Sequence, residues 1–137
     1  MSDPYKGGIG SRREARERAL SLLYEAESRS LSGPALLAIL PVSPEPFSVD
    51  LVEGVDQNLE QIDELIGRLA EDWSVDRMPA IDRAILRLAT YELAHRPDVP
   101  TAAVVSEAVE LATQYSTEES SKFVNGLLAA VATEVRS

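Results

Sequence analysis

The chain has 137 residues, is 45% hydrophobic and 26% charged, and carries a net charge of −10. That length suits one domain with its own core, and no stretch nears the ~18 uninterrupted apolar residues of a membrane span. Cysteine is absent and His95 is the only histidine, which excludes disulfides, thiolate chemistry and histidine-rich metal sites.

The N-terminus, MSDPYKGGIGSRREAR, lacks the apolar core of a signal peptide, so a cytoplasmic protein is expected. Residues 1–10 hold three glycines and a proline and read as a flexible arm, with residues 11–137 as one domain. Ser11 with Glu14 fits a capping box opening a helix to about Ser28, with Ala15, Ala19, Leu22, Leu23 and Ala26 on its apolar face. Ser32 can cap a short second helix with Pro34 in its first turn, and the three prolines of PVSPEP at 41–46 make a loop. Apolar residues from Phe47 to Leu69 recur at spacings of three and four, a helical period interrupted near Gly54–Asn58. Ser74 and Asp76 can cap the next helix, which contains Ile81, Ile85 and Leu88 and must stop near His95 before Pro97 and Pro100. Thr101 starts a further segment, and Ser116 with Glu119 forms a second capping box leading into Phe123, Val124, Leu127 and Leu128. No stretch reads as a strand. The expected fold is all-α, six or seven helices packed as two small bundles.

Charge is divided unevenly along this chain. Residues 1–30 carry six Lys/Arg and five Asp/Glu, whereas residues 31–137 carry seven and eighteen. A basic head on an acidic body suggests a local anion site without long-range attraction. At about 100° per residue, Arg12, Arg13 and Arg16 share one edge of the first helix and Tyr24 lies further along it. Guanidinium groups beside an aromatic ring suit single-stranded RNA, pairing with phosphates and stacking on a base. A solvated helix start, with Glu14–Arg18 pairing, fits the same residues.

In STEESSKFVN, a helix N-terminus that favours anions is joined by Lys122, Phe123 and Asn125, which can supply charge, stacking and a base-edge hydrogen bond. Packing explains Phe123 equally well, and Glu118 and Glu119 already complement the dipole. Arg77, Arg83 and Arg87 read as a solvated face partly neutralised by Asp76 and Asp82. Glu92–Arg96 reads as an i,i+4 pair, Trp73 as a core anchor, and His95 as a donor to free helix-end carbonyls. No catalytic residues, metal ligands or cofactor motif emerge: there is no Gly-x-Ser-x-Gly, phosphate loop or dinucleotide fingerprint.

Taken in order, RREARERALSLLYEAE at 12–27, FSVDLVEGV at 47–55, IDELIGRLAEDW at 62–73, RMPAIDRAILRLATYEL at 77–93, DVP at 98–100 and SEAVELATQYSTEESSKFVNGLL at 106–128 resemble the NusB family of transcription antitermination factors. The resemblance implies two three-helix bundles with an arginine-rich first helix. It also implies binding of boxA RNA on nascent ribosomal RNA transcripts together with NusE, a small-subunit ribosomal protein. The pair would join the RNA polymerase elongation complex with other Nus factors and suppress termination without catalysis. By position, Arg12, Arg13, Arg16, Tyr24, Lys122, Phe123 and Asn125 match RNA-binding residues, and Asp82 and Glu119 match carboxylates presented to NusE. Glu14 departs by standing where relatives often have a basic residue, which lowers the positive charge. Some relatives self-associate over the RNA face, so a homodimer is a further candidate assembly.

Two other readings keep the helices and change the function. The same fold opens certain ribosomal RNA cytosine methyltransferases, although 137 residues leave no room for their α/β domain. A protein-interaction module would use its arginines only for caps and salt bridges.

Overall fold

The computed structural model describes residues 9–136, with side chains from Arg12 onwards. Seven α-helices account for most of it: α1 (Ile9–Ser28), α2 (Gly33–Ile39), α3 (Pro46–Gln57), α4 (Leu59–Leu69), α5 (Ala80–His95), α6 (Thr101–Tyr115) and α7 (Glu118–Val135). A 3₁₀ turn at Val75–Arg77 sits between α4 and α5, and there is no strand among the described residues. The arm expected over 1–10 lies outside the described residues except for Ile9 and Gly10, which are already helical. Ser11 therefore stands inside the first turn, and its side chain, with the capping box, is outside what is described.

Local chemistry sets most boundaries. α1 ends in a Schellman turn: Leu31 N–H donates to Ala26 O at 2.8 Å and Ser30 N–H to Glu27 O at 3.1 Å. Ser30 takes the left-handed conformation, φ 56°, that this closure requires. Ser32 caps α2 by accepting from Ala35 N–H at 3.1 Å, with Pro34 in the first turn. The long periodic run breaks at Asn58, which leaves helical geometry and turns its side-chain amide back onto Gly54 O at 2.8 Å. Gly54 must lack a side chain, because a Cβ there would lie 2.1 Å from the Tyr91 ring.

Three expectations change in this part of the chain. Trp73 is 50% exposed, and the inward positions of the α4–α5 connection are taken by Ala70 and Met78. Neither Ser74 nor Asp76 caps α5, which begins after Pro79 with no side-chain cap. The cap of α7 is Thr117, accepting from Ser120 N–H at 3.0 Å, one residue later than expected.

α1, α2 and α3 pack together, α4 to α7 form the second group, and α5 touches members of both. The early Arg16 of α1 pairs with Glu92 near the end of α5, while the late Glu27 pairs with Arg83 near its start. The two helices therefore run antiparallel. One continuous apolar cluster joins the groups through Leu22, Leu51, Ile85, Leu88 and Leu128. No described helix is long and apolar enough to cross a membrane.

Candidate nucleic-acid interface

The first turns of α1 lie against α5 and α6, and this packing sorts the arginines by depth. Arg16 is 5% exposed and is a core residue rather than the expected surface contact. Its Nε and Nη2 each donate to a separate oxygen of buried Glu92 at 2.8 Å, and Nη1 lies 3.6 Å from Glu107 Oε1. Its guanidinium also stacks 5.3 Å from the centre of the Phe47 ring. A phosphate could reach it only by displacing both the carboxylate and the ring. Glu92 is consequently not available for the expected pair with Arg96, which instead binds Asp50 through Nε at 3.0 Å and through Nη2.

Arg13 sits one turn earlier at the wet edge of the same cluster. Its Nε donates to Glu107 Oε2 at 3.2 Å while 52% of its side chain stays exposed. Arg12 is half-buried and Tyr24 is exposed further along α1. Along this side of α1, Arg13 and Tyr24 are thus exposed, Arg12 is partly covered, and Arg16 dips into the core.

Sequence reasoning missed Tyr115, at the end of α6. It is 46% exposed, and its hydroxyl donates to Glu17 Oε2 at 2.6 Å. That hydrogen bond to a carboxylate raises the Tyr115 pKa above its ordinary value. Glu17 and Tyr24 are seven residues apart on α1, so they share a side of the helix. Tyr115 therefore brings a second exposed ring to the arginine-bearing helix, directly before the segment that opens α7. Its spacing of four from Leu111 makes it read as a continuation of the apolar face, which is why periodicity hid it.

A cleft between α1 and α6 is lined by Arg13, Glu17, Glu107, Glu110 and Gln114. A second groove, between α6 and α7, is lined by Ser106, Val109, Glu110, Thr113 and Asn125. Glu110 belongs to both, so Arg13 and Asn125 border adjoining hollows on either side of α6. Lys122, one turn before Asn125, is exposed, whereas Phe123 is half-buried against the core.

The two expected partner-facing carboxylates separate. Glu119 is exposed in the first turn of α7. Asp82 is buried, accepting from Ser116 Oγ at 2.7 Å and Ser120 Oγ at 2.6 Å, and so fastens the start of α5 to the start of α7. Its oxygens are occupied within the chain, which corrects the expectation of a surface residue.

Elsewhere, Arg83 and Arg87 pair directly with Glu27 and Asp63; Asp76 adds only a weaker attraction on Arg83, and Asp82 is engaged by Ser116 and Ser120. Arg83 Nε donates to Glu27 at 3.1 Å, and Arg87 binds both Asp63 oxygens at 2.8 and 2.7 Å. Exposed His95 stacks on Tyr91, 5.5 Å between ring centres. The helix-end carbonyls expected to engage it are held by Arg136, which donates to the carbonyl oxygens of Leu93 at 2.9 Å, Glu92 at 3.2 Å, Arg96 at 2.8 Å and Val99 at 2.7 Å. Among the described residues, no group of three His, Asp or Glu side chains is placed to hold a metal ion.

Comparison with known proteins places this arrangement. The family model described as "NusB family" matches residues 13–133. The transcription antitermination protein NusB of Kineococcus radiotolerans is 45% identical over 128 residues, covering 90% of this chain and 94% of that protein. Its counterpart in Saccharopolyspora erythraea is 47% identical over 130 residues, covering 90% and 88%. Among solved structures, T. maritima NusB superposes with a TM-score of 0.80 at 38% identity, covering 90% of this chain and 91% of that one. A chain from a crystal structure of antitermination factors NusB and NusE in complex with dsRNA gives a TM-score of 0.79 at 27% identity, covering 93% and 99%. With a family model spanning most of its length and relatives above 40% identity, the chain belongs to the NusB family.

Proposed function

We propose that this chain is a transcription antitermination factor that binds boxA RNA on nascent ribosomal RNA transcripts together with NusE. In that role it joins the RNA polymerase elongation complex with other Nus factors. The observation that carries the reading is the match of nearly the whole chain to a NusB solved with NusE and RNA. Arg12, Arg13 and Lys122 would meet phosphates. Tyr24 and Tyr115 would stack on bases, and Asn125 would read a base edge. Arg16 supports the site from beneath by fixing α1 to α5. Glu119 is the exposed carboxylate left for a basic partner, since Asp82 is committed to Ser116 and Ser120.

The test is fluorescence anisotropy of a labelled boxA RNA, with and without NusE, against a scrambled RNA. Selective binding strengthened by NusE is expected, and absence of selectivity under both conditions would leave a helical interaction module. Replacing Arg12 and Arg13 together by alanine should weaken binding. It should also flatten the log–log salt dependence by about 0.7 for each phosphate that the variant no longer neutralises. Wild-type affinity in a folded variant would remove both residues from the interface.

A further inference from the structure

Glu107 stands on α6 opposite the first turns of α1, and each of its oxygens faces a different arginine. Oε2 accepts from Arg13 Nε at 3.2 Å, and Oε1 lies 3.6 Å from Arg16 Nη1. The carboxylate is almost enclosed, while half of the Arg13 side chain is in water. A guanidinium grips carboxylate and phosphate with the same planar fork. Glu107 therefore occupies Arg13 much as a phosphate would.

Resting on the RNA reading above, we propose that Glu107 sets the RNA affinity of α1 as a positioning residue, holding Arg13 in competition with RNA phosphate. The asymmetry of the cluster makes the exchange feasible. When Arg13 swings to a phosphate, Glu107 keeps Arg16 beside it and is not left as a lone buried charge, which would be costly. Arg16 cannot make the same move, because it would forfeit both its hydrogen bonds to Glu92 and its stacking on Phe47. One arginine of the pair is thus exchangeable and the other fixed. The interaction being competed for is with phosphate, which carries no sequence information. Glu107 consequently restrains binding to all RNA, and base contacts or a second protein must supply the remaining affinity.

The experiment compares wild type, Glu107→Gln, Arg13→Ala and the double variant by anisotropy on boxA and scrambled RNA, in the presence and absence of NusE. Glu107→Gln should tighten both RNAs by the same factor, about two- to five-fold, the scale of a partly exposed ion pair. Its salt dependence should also steepen, because Arg13 no longer needs to break an internal pair. In the Arg13→Ala background the gain should vanish. A purely structural role for Glu107 would shift the melting temperature but not produce that dependence on Arg13. Unchanged or weaker affinity in a folded Glu107→Gln variant, or a gain that survives Arg13→Ala, overturns the proposal. Should Glu107→Gln lose its helical circular dichroism, Glu107→Asp keeps the charge beside Arg16 and retracts it from Arg13. A smaller gain in the same direction is then expected, and no gain overturns the proposal. Selective wild-type binding with no response to Glu107 changes would sink this inference alone. Silence of every variant with and without NusE would sink the functional reading together with it.

Discussion

Two arginine–carboxylate networks tie α1 to α5, one at each end of α1, with the charges reversed between them. At the start of α1 the arginine belongs to α1, Arg16, and the carboxylate to α5, Glu92. At its end the carboxylate is Glu27 on α1, and Arg83 and Arg87 come from α5. The first network is sealed under Phe47, with Glu92 buried, whereas the second opens onto a groove lined by α1 to α5 with Glu27 39% exposed. The chemistry is the same at both ends. Water decides whether an ion pair is a structural requirement or a small adjustment.

The sealed network gives the largest expected effect. Arg16→Ala should cost about 3–5 kcal/mol, because it leaves the Glu92 carboxylate buried with neither of its two hydrogen bonds. Against a typical stability of ~5–15 kcal/mol, urea unfolding should show this as a large fall in midpoint. Arg16→Lys should recover only part, since one ammonium cannot reproduce a two-pronged contact. Replacing Arg16 and Glu92 together by methionine should be far milder than either single change. Should the double variant be as unstable as Arg16→Ala, the cost would lie in missing packing on Phe47 instead of an orphaned charge.

Arg136 sharpens the comparison because its partners there are uncharged. It donates to the carbonyl oxygens of Glu92 and Leu93 in the last turn of α5 and of Arg96 and Val99 in the loop that follows, tying both to the end of α7. Hydrogen bonds from a charged donor of this kind are worth roughly 1.5–3 kcal/mol, so Arg136→Ala should fall between the sealed and open networks. Amide exchange should accelerate over residues 95–101, the turn it fastens to α7. Protection unchanged in that turn would show that the loop is held by its own prolines.

These differences explain which parts of the molecule are legible in the sequence. Helix positions follow from local information: the apolar period, Ser32 as a cap, the prolines at 41–46 and the break before Leu59. The caps of α5 and α7 are less legible because SVD and YSTEE each offer several adequate cappers. Thr117 takes the role because Ser116 is turned toward Asp82. The arginines are the hardest. Arg12, Arg13 and Arg16 have the same helical phase whether the opposing group is a phosphate or a carboxylate 76 residues away on α5. Nothing within α1 distinguishes Arg13 from Arg16. Tertiary packing does so: Glu92 of α5 and Phe47 of α3 cover Arg16, while Arg13 meets Glu107 of α6 at the rim.

The open network should respond weakly, and to acid. Arg83 beside Glu27 holds that carboxyl below its ordinary 4.5, chiefly through the hydrogen bond between them. A carboxylate with a lowered folded pKa contributes stability above its unfolded value and loses it as pH falls through the folded one. With much of the side chain in water, that contribution is below about 1 kcal/mol. Glu27→Gln should therefore be slightly less stable than wild type at pH 7, and the two urea midpoints should converge below pH 4. A gap that persists in acid would mean that the loss comes from the shape of the groove and not from charge.

The smallest effect belongs to the pair with some of the shortest distances. Arg68 binds Glu134 through Nη1 at 2.8 Å and Nη2 at 2.6 Å, and also Glu64 one turn away on its own helix at 3.2 Å. These contacts raise the Arg68 pKa and lower that of Glu134, yet both side chains stand in water. In that setting good geometry is offset by side-chain entropy and by the hydration each charge already has. Arg68→Ala should leave the urea midpoint unchanged within error at moderate salt. A loss matching that of Glu27→Gln would show that two-pronged geometry, rather than exclusion of water, ranks the ion pairs in this fold. The contrast between the two ends of α1 would then need an explanation in angles and distances.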